Sequence, residues 1–322
     1  MKFLITGSAG FIGFHLSKLI LNKNFKVIGI DNLNQYYSPK LKIDRNKILK
    51  KNKNYNFIKA DITNKKKLEE VFKKNKITHV INLAAQAGVR YSLTNPDPYI
   101  STNLLGFFNI LDLCKKYKVK NFIYASSSSV YGLSKKKEFG VGDNTDFPLS
   151  LYAATKKSNE VISYVYNHLY KMNIIGLRFF TVYGEYGRPD MSLFMFVKSI
   201  INNKKINVYN KGNMMRSFTY VNDLVKILWD IISANKSKKK FYKIYNIGSN
   251  QSCTLREYIR TIESSLGKKA KKNYMGMQMG DVKNTKASSA DNLKKYKFTT
   301  LKEGVGNFIK WYNLYYSSSS KI

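Results

Sequence analysis

Short, mostly apolar runs alternate with amphipathic stretches through the first half of the chain. Residues 2–6 (KFLIT), 25–30, 56–60, 78–83, 121–125 and 174–178 each read as a strand. Helical spacing appears at 11–22, 65–74 and 99–117, and a long helix follows Tyr152. Apolar strands set between helices predict a parallel sheet covered on both faces, with right-handed crossovers. The expected fold class is therefore α/β, a Rossmann-type doubly wound parallel sheet. Past residue 180 the alternation loosens. Helical patterns near 191–203, 222–234, 254–266 and 301–315 are separated by Lys- and Asn-rich loops, which suits a smaller C-terminal α/β lobe. The expected division is 1–178 for the first domain, which also receives parts of 216–250, and 179–322 for a second, interleaved lobe.

Composition changes this picture less than its size suggests. The 322 residues carry a formal net charge of +36, which invites a nucleic-acid partner. Yet of the 56 basic residues 49 are Lys and only 7 Arg, beside 33 Asn. Phosphate- and base-reading surfaces favour Arg for its bidentate fork, so the excess reads as compositional drift, and no specific nucleic acid is expected. A nucleic-acid-binding protein on a reductase-like scaffold stays as the alternative of another class; steeply salt-dependent RNA affinity would mark it. Cys114 and Cys253 cannot build a disulfide framework, and they lack metal-ligand spacing. His15, His79 and His168 form no cluster, so neither a metal site nor a His-based triad is expected. No apolar run approaches the roughly 18 residues that span a bilayer. Met1-Lys2 leads straight into a strand, so a cytoplasmic protein without membrane contact is expected.

The chemistry begins at the end of the first strand, in Thr6-Gly7-Ser8-Ala9-Gly10-Phe11-Ile12-Gly13. Glycines at this spacing allow a tight turn, a close backbone approach to a diphosphate, and close packing of the next helix, whose N-terminus offers N–H groups and a positive dipole end. The second strand ends in Asp31, 18 residues after Gly13. An acid there can accept hydrogen bonds from an adenosine ribose and would repel a 2′-phosphate; with no Lys or Arg before Lys40, NAD is favoured over NADP. A turn or cap role for Asp31 is the plain alternative. Asp61-Ile62, after the third strand, are expected near an adenine ring, with an ordinary N-cap role for Asp61 equally open.

Tyr152-Ala153-Ala154-Thr155-Lys156 places a phenol and an ammonium on one helical face. The positive charge favours phenolate, and lowering a Tyr pKa from about 10 to about 7 takes roughly 4 kcal/mol of differential stabilisation. Such a Tyr is a general base near neutral pH. The run Ala125-Ser126-Ser127-Ser128-Ser129-Val130-Tyr131-Gly132 closes the fifth strand, at the sheet edge where ligands bind in such folds. Its hydroxyls can donate to a reacting sugar oxygen; a polar turn is the plain alternative.

These features, in this order, resemble the extended short-chain dehydrogenase/reductase family of nucleotide-sugar enzymes over nearly the whole chain. Leu83-Ala84-Ala85-Gln86-Ala87-Gly88-Val89-Arg90-Tyr91-Ser92, Arg178-Phe179-Phe180-Thr181-Val182-Tyr183-Gly184 continuing to Gly187-Arg188-Pro189-Asp190-Met191, and Met277-Gln278-Met279-Gly280-Asp281-Val282 are similar to segments of its UDP-glucuronate 4-epimerases. The resemblance implies a non-consumed NAD, a UDP-sugar substrate, a homodimer, and interconversion of UDP-glucuronate with UDP-galacturonate through a transient 4-keto sugar. UDP-glucose/UDP-galactose interconversion is the alternative on the same scaffold. It also implies Tyr152, Lys156 and Ser127 as catalytic residues. NAD contacts would come from Gly7, Gly10, Phe11, Ile12, Gly13, Asp31, Asn32, Asp61, Ile62, Leu83, Ala84, Ala85, Tyr152 and Lys156. Substrate contacts would come from Arg90, Ser127, Ser128, Thr181, Arg188, Arg216 and Asp281, with Arg188 suited to the sugar carboxylate and Arg216 to the diphosphate. Residues 1–178 would then be the NAD-binding domain and 179–322 mainly the UDP-sugar lobe. Related decarboxylases and dehydratases carry Glu where this chain has Ser129, which argues against both reactions. Asn82 stands where His is common, Ser217 and Asn222 where Asp is frequent, and Met279 where Pro is usual.

Overall fold

The chain forms β1 (Lys2–Thr6), α1 (Phe11–Asn22), β2 (Lys26–Asp31), α2 (Pro39–Lys50), β3 (Tyr55–Lys59), α3 (Lys65–Lys74) and β4 (His79–Asn82). It continues through the short α4 (Tyr91–Thr94), a π-helix (Tyr99–Gly106) running into α5 (Phe107–Lys116), β5 (Asn121–Ser127), α6 (Leu151–Tyr170) and β6 (Asn173–Phe179). The second half contains β7 (Thr181–Tyr183), α7 (Ser192–Ile201), β8 (Lys205–Tyr209), β9 (Met215–Tyr220), α8 (Val221–Ala234) and β10 (Tyr242–Ile247). It ends with β11 (Ser252–Thr254), α9 (Leu255–Leu266), β12 (Lys271–Met275), β13 (Asn284–Thr285) and α10 (Leu301–Ser317). This computed structural model describes residues 1–134, 136–234, 241–277, 284–288, 293 and 295–317.

Seven strands form one sheet in the order β10-β6-β5-β4-β1-β2-β3. The pairings from β3 through β6 are all parallel. The order reverses between β1 and β4, and this switch point is where doubly wound sheets bind ligands, at the carboxyl ends of the strands. Strands β1 and β4 are apolar because both faces are covered: Leu4 and Val80 pack with Ile28, Phe107, Ile110 and Phe122 in one buried cluster.

Two compact units emerge. The first comprises Met1–Lys135, Val141–Phe179 and Val225–Asn246; the second comprises Lys136–Gly140, Phe180–Leu224 and Ile247–Ile322. In the second, β9 is the hub of a small sheet, pairing in parallel with β7 and β13 and antiparallel with β11. Its core gathers Tyr183, Phe194, Val197, Phe218, Tyr258 and Phe308.

Two elements depart from the sequence pattern. The stretch expected as a single helix over 99–117 begins as eight residues of π-helix before turning α-helical at Phe107. Helix α2 has no counterpart in the hydrophobic pattern because its inward face is largely polar: Lys42, Arg45 and Asn46 are buried with Leu41 and Leu49.

Candidate active site

The glycine loop is tight for steric reasons. A Cβ on Gly7, whose φ is +69°, would lie 2.8 Å from the backbone N of Ala84, and one on Gly13 would lie 2.1 Å from the Gly7 carbonyl oxygen. Gly7 and Gly13 thus hold the end of β1 against the segment after β4 and against the start of α1. The Thr6 hydroxyl donates to Asn82 Oδ1 at 2.5 Å and accepts from the Ala84 N–H at 3.2 Å, so Asn82 takes part in joining the two strand ends at the switch point. Helix α1 starts at Phe11, with Gly10 at its cap position, no side-chain cap and no acid in its first turn. Its first N–H groups are therefore offered to an outside acceptor, as a dinucleotide diphosphate requires. On both counts the loop fits NAD.

Asp31 is 9% exposed at the end of β2. Its Oδ2 accepts from the Ala9 N–H at 3.1 Å and its Oδ1 from the Leu33 N–H at 2.9 Å, so it fills the turn role that stood as the alternative to the ribose contact, while facing the loop. Burial pushes its carboxyl above the ordinary value, against the Leu33 and Ala9 hydrogen bonds and the charges of Lys42 and Arg45. The inward face of α2 supplies those cations. Arg45 is fully buried and donates to the Ala9 carbonyl at 2.9 Å, while Lys42 donates to the Asn34 carbonyl at 2.7 Å. Both escaped the sequence reading, which stopped at Lys40. Their signal was the i, i+3 spacing of Lys42 and Arg45, one of only seven Arg in the chain, within a helix that begins eight residues past the strand-end acid.

Asn32 donates to Asp61 Oδ2 at 2.7 Å, and the Asp61 Oδ1 accepts from the Thr63 N–H at 2.8 Å and its hydroxyl at 2.7 Å. Burial would raise the Asp61 carboxyl, but these hydrogen bonds outweigh it and hold the group below its ordinary range. Asp61 is not the helix cap; Asn64 caps α3. The Ile62 carbonyl accepts from Asn109 at 3.1 Å. Phe11, Ile12, Leu83 and Ala85 join the same strand-end rim by position.

Ser150 caps α6 by accepting from the Ala153 N–H at 3.2 Å, which sets Tyr152 and Lys156 on its first two turns. The Lys156 ammonium lies 5.9 Å from the Tyr152 ring centroid and donates to the Ala125 carbonyl at 2.8 Å. It is 4% exposed, and desolvation pushes its pKa down to about 8. At pH 7 most of it still carries the charge that favours a phenolate. Ala125 opens the serine run, so the same contact ties α6 to the end of β5. Ser127 is buried there and accepts from the Ser129 N–H at 3.2 Å, capping the turn Ser128–Tyr131. Ser129 is the residue facing Ser127, with 3.2 Å between hydroxyl oxygens.

Arg90 is exposed, at the cap position before α4. In the second unit, Thr181 starts β7 and pairs with Phe218 of β9, the strand that also carries Arg216. Arg216 donates to the neighbouring Met215 carbonyl at 2.8 Å. Arg188 meets Asp190 through two nitrogens, at 3.0 and 2.5 Å. The Ser217 hydroxyl accepts from the Ala287 N–H at 3.2 Å, and Asn222 donates to the Tyr220 hydroxyl at 3.3 Å, which donates in turn to Glu185 at 2.7 Å. The positions that lack the frequent Asp are thus bonded, and Glu185 brings a carboxylate to that loop. Asp281 and the neighbouring Gln278, Met279, Gly280 and Val282 lie outside the described residues. Among the described residues, no group of three or more His, Cys, Asp or Glu side chains could hold a metal ion, and no helix is long and apolar enough to cross a membrane.

A model of the NAD dependent epimerase/dehydratase family matches residues 3–248. Protein CapI of Staphylococcus aureus is 49% identical, over 98% of this chain and 99% of its own length. UDP-glucuronate 4-epimerase 4 of Arabidopsis thaliana is 43% identical, over 99% of this chain and 76% of its own. Among solved structures, the UDP-glucuronic acid 4-epimerase of Bacillus cereus in complex with UDP-glucuronic acid and NAD superposes with a TM-score of 0.90. The two share 33% identity, over 98% of this chain and 100% of that one.

Proposed function

The chain belongs to the NAD dependent epimerase/dehydratase family, and we propose that it interconverts UDP-glucuronate and UDP-galacturonate as an NAD-dependent 4-epimerase. The observation that carries this reading is the Tyr152–Lys156 pair, fixed by the 2.8 Å bond from Lys156 to Ala125 at the mouth of the serine run. NAD, when bound, supplies the reversible two-electron chemistry that the side chains lack. The turn at Gly7, Gly10 and Gly13 and the first N–H groups of α1 hold its diphosphate. Asp31 accepts from the adenosine ribose, with Asn32, Asp61 and Ile62 towards the base.

Tyr152 takes the proton from the sugar C4 hydroxyl and later returns it. The Lys156 charge favours the phenolate that this requires. Ser127 hydrogen-bonds the reacting oxygen, and Ser129, where related dehydratases carry Glu, brings no carboxyl for the acid–base steps of elimination. A uronate oxidised at C4 is a β-keto acid, and it loses carbon dioxide when the breaking C–C bond aligns with the carbonyl. Holding the carboxylate out of that alignment is the task of Arg188, through charge-assisted hydrogen bonds. The second unit, with Thr181, Arg188, Arg216 and Asp281, serves the UDP-sugar. The homodimer implied by the resemblance is supported by the outer face of α6, where Val161, Val165 and Leu169 are 53%, 44% and 58% exposed at i, i+4 spacing and a second copy would cover them.

The test is incubation of purified protein with UDP-glucuronate and no added reductant, with products separated by chromatography. UDP-galacturonate forms without net NAD reduction or carbon dioxide release, and Tyr152→Phe lowers the rate by roughly 10²–10⁴-fold. A wild-type protein that holds NAD and forms no UDP-galacturonate refutes the assignment.

A further inference from the structure

Eight residues of π-helix are uncommon, and such widened turns are frequent at functional sites. Here the π-helix Tyr99–Gly106 carries two fully buried polar side chains, Tyr99 and Asn103, four residues apart. Both reach the loop that follows β4. The Tyr99 hydroxyl lies 3.0 Å from the Ala87 carbonyl and 2.5 Å from the Gly88 carbonyl, and shares its proton between them. Asn103 accepts from the Gln86 N–H at 2.8 Å and donates to the Gln86 carbonyl at 3.0 Å. The same π-helix also reaches α6. Asn103 donates to the Thr155 hydroxyl at 3.2 Å, which donates to the Tyr152 carbonyl at 2.8 Å. The Tyr99 ring meets the Tyr152 ring edge-on, with centroids 6.2 Å apart and planes at 81°.

We infer that Tyr99 is a positioning residue for Tyr152: its ring is the wall that fixes the phenol's direction, while its hydroxyl fixes the loop 86–88 beside it. This rests on Tyr152 being the proton-transfer group. The phenol's direction is set by rotation about its Cα–Cβ and Cβ–Cγ bonds, and a ring packed against it narrows that rotation. The phenol oxygen must stay within hydrogen-bond reach of one sugar hydroxyl, and displacements of about 1 Å can cost on the order of 10²-fold in rate. A rigid aromatic wall restricts the ring without adding a charge or a competing donor. The hydroxyl at the far end then couples that wall to the segment after Leu83-Ala84-Ala85.

Wild type, Tyr99→Phe and Tyr99→Leu are compared as NAD-loaded proteins, with kcat and KM for UDP-glucuronate, the rate of NAD release, and the thermal midpoint. Tyr99→Leu removes the wall, and kcat falls about tenfold or more at a KM close to wild type. Tyr99→Phe keeps the wall and restores kcat to within about threefold, but it releases NAD about fivefold faster because the loop carbonyls lose their donor. If Tyr99→Leu does not fold, Tyr99→Met, closer in reach, takes its place in the same comparison. The inference is overturned if the aliphatic variant keeps kcat, if Phe and Leu lose it equally, or if the loss only follows NAD content or melting. A wild type inactive on UDP-glucuronate sinks the functional assignment with it; an active wild type beside an unaffected aliphatic variant sinks this inference alone.

Discussion

Arg178 and Arg188 each grip a carboxylate through Nε and Nη2, one in each unit, but their surroundings differ. Arg178 bonds Glu160 at 2.9 and 2.8 Å, and both side chains are 4% exposed. Its partner sits 18 residues away on α6 and also accepts from the Ser126 hydroxyl at 2.5 Å. The third guanidinium nitrogen donates to the Tyr131 hydroxyl at 2.9 Å and the Val141 carbonyl at 3.0 Å. Arg188 bonds Asp190, two residues along the same loop, with 22% and 31% of the side chains exposed. The first pair ties β5, β6, α6 and the loop after the serine turn into one body. The second spans a single loop and keeps contact with water. The same chemical pair is therefore a rivet in one place and a releasable contact in the other, which is the property a substrate-facing Arg needs.

The sharpest way to break this contrast is Arg178→Met. It leaves the Glu160 carboxylate buried without its main partner, and stability should fall by about 3–5 kcal/mol. Removing both charges, in Arg178→Met/Glu160→Leu, should recover most of that loss, because the desolvation penalty disappears with the pair. Thermal unfolding of the three proteins reads both effects. A single variant within about 1 kcal/mol of wild type would mean that Arg178 is no more fixed than a surface ion pair.

These differences bear on how much of the molecule is legible in its residues. The sheet was legible because β1, β4 and β5 are buried on both faces and so write themselves as apolar runs. Tyr152, Lys156 and the glycine loop were legible because their chemistry depends on local spacing. Arg178–Glu160 was not, since nothing in a one-dimensional pattern pairs residues on a strand and a helix until the fold brings them together. Helix α2 was hidden by its buried Lys42, Arg45 and Asn46, which read as a solvent-facing stretch. The π-helix was hidden because Tyr99, Asn103 and Gly106 turn one side inward at a spacing close to that of an ordinary helix. In each case the missing information was the identity of a distant polar partner.

Lys156 lies between the two extremes, being buried like Arg178 but bonded, among the described residues, to a backbone carbonyl rather than a carboxylate. Its pKa, lowered from 10.5 to about 8, means that the unfolded chain binds more protons between those values. Stability therefore rises with pH through that window, and below pH 8 the full cost of burying the charge is present. Lys156→Met removes that cost, up to about 3 kcal/mol, less what is lost when the Ala125 carbonyl goes unpaired. NAD-free Lys156→Met should thus melt above wild type at pH 7, with the gap closing towards pH 10, while epimerisation is lost. A gap that does not change with pH would place the gain elsewhere.

The releasable pair gives the smallest effects and the finest test. Arg188→Ala should change stability by less than about 1 kcal/mol, as expected of a partly exposed pair within one loop. Its turnover of UDP-glucuronate should fall about tenfold further than any turnover of UDP-glucose, because only the uronate carries the charge that Arg188 meets. Equal losses on both sugars would remove the carboxylate role and leave Arg188 a general contact. Asp190→Asn is smaller still. In the ligand-free protein Asp190 occupies the Nε and Nη2 donors with a carboxylate of its own, so an incoming uronate competes with it. An exposed pair is worth at most about 1 kcal/mol, which limits the competition to roughly fivefold. KM for UDP-glucuronate should therefore drop by up to that factor in Asp190→Asn, with kcat and neutral-sugar KM unchanged. A rise in KM instead would show that Asp190 aims the guanidinium rather than competing for it, and would make the second pair a fixed one like the first.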